Sequence, residues 1–380
     1  MRPFCDDRRE ALRTQVRAFA RTLPRRGLAP GRAEDARQVV AALAGEGLLA
    51  LLVPSAHGGA AERILPLSLA VTREELAAAS GFHDAMFAVQ GLTATTLAHA
   101  PGGVAPKQWL PELAAGRAIG AFALTEPEAG SDISAMTSTA RRTAEGYVLD
   151  GHKVFISNAG VADLYLVFAR MEGSEKDFAA FAVPAATPGV EANPIELMAN
   201  HVIGGLRLRG VTVPAGALVG AEGDGMRLAL GTLEIWRPMV GAAACGMARR
   251  ALDEALARTR VRKQFGKPLV EQQAIAHMLA EMATELEAAR LLVYQAAWLK
   301  EIVPAERDPR LGRSASMAKL FATEAAGRVV DRAVQLHGAA GLVRGSVVES
   351  LYREVRSLRI YEGASEVLRS IIARSLEVTA

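Results

Sequence analysis

Residues 146–158 read GYVLDGHKVFISN, and this run decides how the chain divides. Its β-branched and aromatic residues recur at the two-residue period of a half-buried strand. Asp150-Gly151 at its centre is a dipeptide suited to a tight hairpin turn, so two short strands are expected around it. In KVFISN (153–158), alternation would send Val154, Ile156 and Asn158 to one face and Lys153, Phe155 and Ser157 to the other. More β-rich runs follow in LYLVFAR (164–170), FAAFAV (178–183) and LRLRGVTVP (206–214). Short strands spaced so closely predict a compact sheet or barrel rather than βαβ units.

Outside this block the texture is helical. From Arg8 to about Gly116, QVVAALAGEGLLALLV (38–53) and SLAVTREELAAAS (68–80) repeat apolar residues at helix spacing. Breaks come at HGG (57–59) and APGG (100–103). After GAEGDGM (220–226) the helical pattern returns. MARRALDEALARTR and AIAHMLAEMATELEAARLLVYQAAWLK read as long amphipathic helices with Glu-to-Arg or Lys pairs on their polar sides. SMAKLFATEAAGRVVDRAVQLHG ends in a glycine stop. The expected fold is therefore multidomain α+β: an N-terminal helical domain over 1–118, a middle β-sheet or barrel domain over 119–226, and a C-terminal helical bundle over 227–380.

The chain has 380 residues, more than one hydrophobic core usually organises. Lys plus Arg number 44 against 41 acids, a net charge of +3. That balance argues for no nucleic-acid partner, though it could help attract an anionic ligand such as a phosphorylated cofactor. Cys5 and Cys245 are the only cysteines, so a disulfide framework is not expected and a reducing compartment suits the chain. No run reaches eighteen apolar residues, which predicts no transmembrane helix. MRPFCDDRRE at the start resembles neither a secretory signal nor a transit peptide, and the expected location is cytoplasmic.

Several chemistries drop out early. The seven histidines are scattered without HxxxH, and no CxxC occurs, so no metal site is expected. GxSxG and GxxxxGK[ST] are missing, and HGAAGLVRG (337–345) follows a helix without being GxGxxG, which disfavours a nicotinamide fold. Redox chemistry would need another cofactor.

Four stretches remain, each open to two readings. LTEPEAGSDISAMTS (124–138) is either an irregular polar loop or one whose N–H groups and hydroxyls bind a polar ring and phosphates, with Gly130 allowing close approach. On KVFISN, a Phe and a Ser two apart could face a flat heteroaromatic ring, or simply alternate. In RVRKQFGKPLVEQQ (260–273), broken at Gly266-Lys267-Pro268, Arg262 could serve the last helix carbonyls or reach a pyrophosphate. In YEGASEVLRSIIARS (361–375), Glu362 is either a helix-start carboxylate or a base.

TEPEAGSD, KVFISNAGVAD, RKQFGKPLVEQQ, AVQLHGAAGL and RIYEGASEVLRSIIAR stand in an order and spacing that resemble the acyl-CoA dehydrogenase family, over about Phe19 to Arg374. The resemblance implies the same helix–sheet–helix architecture enclosing FAD and an acyl thioester. It also implies a homotetramer built as two dimers, with FAD across the dimer interface. Phe122, Leu124 and Thr125 would flank the flavin ring, Ser131 would lie near phosphates and substrate, and Phe155 and Ser157 would pack beside the ring and near N5. A partner subunit would bring Arg262, Gln264, Phe265, Gln272 and Gln273, with Gln335, Gly338 and Ala339, to the adenosine and pyrophosphate. Ala364 and Glu366 would close over the adenine half.

By the same resemblance, Glu362 is the α-proton base while hydride leaves Cβ for flavin N5, giving a trans-2-enoyl-CoA, with electrons passing to an electron-transferring flavoprotein. Its own N–H, with a cofactor hydroxyl, would stabilise the enolate-like oxygen. Ser131, Glu234, Trp236, Arg237, Tyr361, Gly363 and Arg374 fall at positions that border the substrate. Some relatives carry the base where this chain has Trp236, which cannot accept a proton, and Glu234 is out of register for that task. Phe155 stands where many relatives carry Trp, and Ala364 where Thr is common. MANHVIGGLRLRG (198–210), with His201, departs from the usual wording beside the substrate. Together with Trp236 it suggests a short, branched or cyclic acyl group. Alternatives on the same fold are an acyl-CoA oxidase, a dehydrogenase of carrier-protein thioesters, or a non-catalytic scaffold.

Overall fold

The structure, a computed structural model, describes residues 4–22, 33–100, 102–174, 177–303 and 310–377. Residues 1–3 of the N-terminal reading, 23–32 of the first helical stretch and Pro101 of the expected break lie outside them. The architecture is the expected one: a helical N-terminal region, a middle sheet and a C-terminal helical region. It packs as two compact units, one of residues 28–65 and 85–233, the other of 1–27, 66–84 and 234–380.

The first of these holds α2 (Ala33–Gly45), most of α4 (Gly81–Ala98), α5 (Val104–Ala114) and the sheet. The strands are β1 (Gly120–Ala123), β2 (Thr139–Arg142), β3 (Gly146–Ser157), β4 (Leu164–Met171), β5 (Phe178–Pro184), β6 (Val190–Pro194), β7 (Ile203–Pro214) and β8 (Leu218–Val219). They order as β6-β7-β3-β2-β4-β5-β8, with β1 parallel to β4. The path has β6 and β8 at its ends, an open sheet rather than a barrel. β4 and β5 are buried almost throughout, which explains their continuous apolar runs, whereas β6 is largely exposed.

Two expectations fail on β3, for physical reasons. No hairpin forms at Asp150-Gly151: the strand continues, paired antiparallel with β7 from Gly146↔Pro214 to Ser157↔Ile203, with a register shift between Leu149 and Gly151. The glycine serves a close approach instead, since a Cβ on Gly151 would lie 2.1 Å from Ser138 Oγ. The alternation in KVFISN also breaks. Lys153 is buried and Phe155 exposed, because Phe155 takes a left-handed φ of 55° and the register shifts again between Lys153 and Ile156.

The second unit contains α1 (Asp7–Ala20), α3 (Pro66–Ala79), most of α6 (Gly225–Val261), α7 (Gln273–Ile302), α8 (Arg310–His337), α9 (Val347–Val355) and α10 (Ser365–Glu377). Asp6 caps α1, accepting the Arg9 N–H at 2.9 Å. On α8, Leu311, Ala315, Ala318, Ala322, Ala325, Val329, Ala333 and Leu336 are buried at three- and four-residue intervals, and its small residues allow close packing on α7. The break at Gly266 turns out to be a small hairpin, β9 (Lys263–Gln264) with β10 (Lys267–Pro268), turned through left-handed Phe265 and Gly266.

Helix α3 is buried along both faces, so the polar side of TREEL cannot face water and must be paired. Glu74 accepts the Tyr294 hydroxyl at 2.6 Å and pairs with Arg290 at 3.0 Å. Glu75 meets Arg17 at 3.0 Å and Arg249 at 2.8 Å. This network ties α1, α3, α6 and α7 together.

Candidate active site

In the sheet-containing unit, the chain leaves β1 into the loop 124–138. Glu126 is its anchor, accepting the Thr137 N–H at 2.6 Å, the Ser138 N–H at 3.0 Å and the Lys153 ammonium at 2.8 Å. Against the effect of burial, Lys153 and these donors hold the Glu126 carboxyl down at about 2. Lys153 also donates to the Leu124 carbonyl at 3.3 Å, and the Val154 N–H to the Thr125 carbonyl at 2.9 Å. The loop is therefore stitched to β3. That brings Leu124 and Thr125 beside the strand that carries Phe155 and Ser157.

Phe155 is 58% exposed, an aromatic ring standing clear of the sheet. Ser157 Oγ lies 2.8 Å from His201 Nε2, and burial pulls that imidazole down to about 4, so it is neutral at pH 7. Asn158, also left-handed at φ 66°, donates to the Gly120 carbonyl at 2.9 Å and locks the end of β3 against β1. Phe122 is half-buried against Phe168, with ring centroids 4.9 Å apart. Ser131 is exposed at the loop tip.

In the helical unit, Glu362 sits in the turn before α10 with φ 53°, followed by Gly363 at φ 106°. Such a conformation strains a residue with a Cβ. Its Oε2 is buried and has no hydrogen-bond partner among the described residues. Burial raises its carboxyl above the usual range, while Arg73, Lys319 and Arg237, in that order, pull it back. Arg73 and Asp84 form a buried bidentate pair at 2.8 and 2.6 Å. Arg237 Nε donates to the Glu362 carbonyl at 3.4 Å, and Lys319 Nζ to the Gly363 carbonyl at 2.6 Å. The arrangement is a half-buried Glu362 on a left-handed turn, with one enclosed carboxylate oxygen that none of the neighbouring cations bonds.

The other expected residues are dispersed. Trp236 is fully enclosed, with the Arg73 guanidinium 5.8 Å from its ring centre. Glu234 is engaged by Lys300 at 2.6 Å. Tyr361 is 40% exposed, and Glu366 and Arg374 are exposed on α10. Arg262, Gln264 and Phe265 are exposed on the β9–β10 hairpin, Phe265 at 95%. Gln335, Gly338 and Ala339 are exposed at the end of α8, as is Gln273 at the start of α7, while Gln272 and Ala364 are half-buried. Sequence reading missed Arg73, Asp84 and Lys319. A charged residue inside an apolar helix pattern was the available signal, but a solvated face gives the same pattern.

Family models for the N-terminal, middle and C-terminal domains of acyl-CoA dehydrogenases match residues 6–117, 121–211 and 223–377. The chain belongs to the acyl-CoA dehydrogenase family. It is accordingly an oxidoreductase acting on CH–CH groups. It is 35% identical over 374 residues to an acyl-CoA dehydrogenase of Bacillus subtilis, covering 96% of this chain and 97% of that one. Among solved structures it resembles butyryl-CoA dehydrogenase from Megasphaera elsdenii, with a TM-score of 0.89 at 30% identity, covering 98% and 99% of the two chains. It is similar as well to a glutaryl-CoA dehydrogenase from Mycobacterium smegmatis in complex with FADH2, with a TM-score of 0.89 at 29% identity and coverage of 98% and 95%. No helix among the described residues is long and apolar enough to cross a membrane, and no cluster there could hold a metal ion.

Proposed function

We propose that this chain converts an acyl-CoA thioester to its trans-2-enoyl-CoA, with Glu362 taking the α-proton. The observation that carries the reading is the free, buried Oε2 of Glu362. A helix-start carboxylate gains roughly 0.3–1 kcal/mol from the helix dipole and needs no burial to do so. A base gains from exactly what the structural role does without: an apolar setting that makes the anion a stronger proton acceptor. Arg73, Lys319 and Arg237 offset part of the effect of burial and favour that anion, and the left-handed turn frees Gly363 for close passage of the substrate.

The residues present fit FAD as cofactor. Phe155 offers an exposed aromatic face, and the stitched loop holds Leu124 and Thr125 near it on the sheet unit, with Phe122, Ser131 and Ser157 as further contacts. Bound FAD would supply the acceptor for the Cβ hydride. Exposed Arg262, Gln264, Phe265 and Gln273, with Gln272 and the 335–339 turn, would serve the cofactor of a partner subunit in a homotetramer, and Ala364 and Glu366 would close on its adenine half. Arg237 and Arg374 would meet the CoA ester. Electrons would pass to an electron-transferring flavoprotein. The bulk of Trp236 and the unusual 198–210 segment favour a short, branched or cyclic acyl group over a long chain.

Anaerobic flavin bleaching by a panel of acyl thioesters tests the reading. Reduction by short, branched or cyclic thioesters supports it, while a protein that binds FAD and is bleached by none of them would refute it. Rapid recolouring in air with release of peroxide would replace the dehydrogenase by an oxidase.

A further inference from the structure

The segment that carries Glu362 has two consecutive left-handed residues and no helix or ladder of its own at that point, so something outside must hold it. Helix α8 does so twice. Glu324 accepts the Ser365 hydroxyl at 2.7 Å and pairs with Arg359 at 3.2 Å, flanking the turn on both sides. Lys319, five residues earlier on the same helix, donates to the Gly363 carbonyl at 2.6 Å, the short length of a charge-assisted bond.

The choice of lysine is informative. Its side chain is fully enclosed, and enclosing an ammonium costs far more than enclosing a neutral donor that could hold one carbonyl equally well. The cost is intelligible when an anion nearby needs the charge. Lys319 faces the carboxylates of Glu362, Glu324 and Glu366 and the Arg237 guanidinium, and Glu362 is the strongest of these influences. Burial pulls the ammonium down to about 8, so it remains charged at neutral pH.

We propose that Lys319 is a positioning residue for the dehydrogenation, gripping the turn from behind through Gly363 and fixing where the Glu362 carboxylate points. It does not touch substrate. The inference rests on Glu362 being the base, and it adds what no side chain of the base itself supplies: a fixed direction and a neighbouring positive charge.

The test uses FAD-loaded Lys319→Met and Lys319→Gln beside the unaltered protein. The methionine variant should reduce its flavin about 10²-fold more slowly at saturating thioester, the loss expected for a displacement of roughly 1 Å at a reacting group. Thioester affinity should change little, and the acid limb of the rate should move to higher pH because a cation has left the carboxylate. Hydrogen exchange over residues 356–368, read without FAD or substrate, should quicken. Glutamine keeps a neutral donor, so it should restore slow exchange but not the acid limb, and it carries the same measurements should the methionine protein lose FAD. An unchanged rate and acid limb in both variants, or a loss confined to thioester affinity, would overturn the proposal. Failure of the unaltered protein to be bleached, or full activity in Glu362→Gln, would instead strike the assignment of the base.

Discussion

The Lys153 ammonium lies 2.8 Å from the Glu126 carboxylate, and neither side chain reaches solvent. Both come from motifs that could have been read as cofactor contacts, yet the pair is an internal brace holding loop 124–138 on β3. Removing one partner of such a buried pair leaves an uncompensated charge and costs about 3–5 kcal/mol. Lys153→Met should therefore lower the denaturant midpoint sharply and reduce FAD occupancy together. Glu126 has a depressed folded-state pKa, so its contribution is full above its ordinary value of 4.5 and fades as pH falls toward about 2. An acid titration of the wild-type protein should lose stability in that window, and Glu126→Gln should flatten it.

Glu362→Gln should keep the fold and the thioester site while slowing flavin reduction by about 10²–10⁴-fold, the range for loss of a general base. Stopped-flow bleaching under anaerobic conditions measures it. Because burial raises the carboxyl, the wild-type rate should fall as pH drops through a midpoint above 4.5, and the protein should not show that limb once the residue is glutamine.

Glu354, beside the Gly81 N–H, is pushed up by burial to about 7. A raised carboxyl favours the folded state fully below its unfolded value, and that advantage is lost as pH rises through about 7. Glu354→Gln should accordingly raise the melting temperature at pH 8 by an amount worth about 1–3 kcal/mol. At pH 4 the two proteins should melt together. Equal gains at both pH values would contradict the linkage.

Phe155→Ala should release FAD more readily while leaving the sheet unit folded, since the ring packs on little of its own chain. Equilibrium binding of FAD to the stripped protein should weaken by roughly fivefold, from the loss of aromatic contact worth about 1 kcal/mol. A larger loss of overall stability than of cofactor affinity would assign the ring to packing.

Much of the architecture was legible because period and punctuation are local. The strands of residues 164–183 and the long helices after Gly225 announce themselves in hydrophobic spacing, and the Gly338 stop is visible in the chain. What failed was whatever depended on a distant neighbour. Gly151 looked like a turn residue, but its lack of a side chain answers Ser138 across the sheet. Alternation put Lys153 on the face of Phe155, but its partner Glu126 lies inside while Phe155 stands exposed. The spacing of SLAVTREELAAAS announced a helix but said nothing of where Arg73, Glu74 and Glu75 lie, and only tertiary packing reveals that they are buried. Within the site, the motif around Glu362 pointed to the acid, while its escort of Arg73 and Lys319 comes from remote helices that no spacing rule connects to it.

The left-handed backbone at Glu362 carries an evolutionary implication. Glycine is the residue best suited to that conformation, so Glu362→Gly should yield a protein that tolerates more heat by up to a few degrees and has no reaction to offer. Selection for robustness alone would erase the acid. If the acid is the base, backbone ease and turnover oppose each other at this one position.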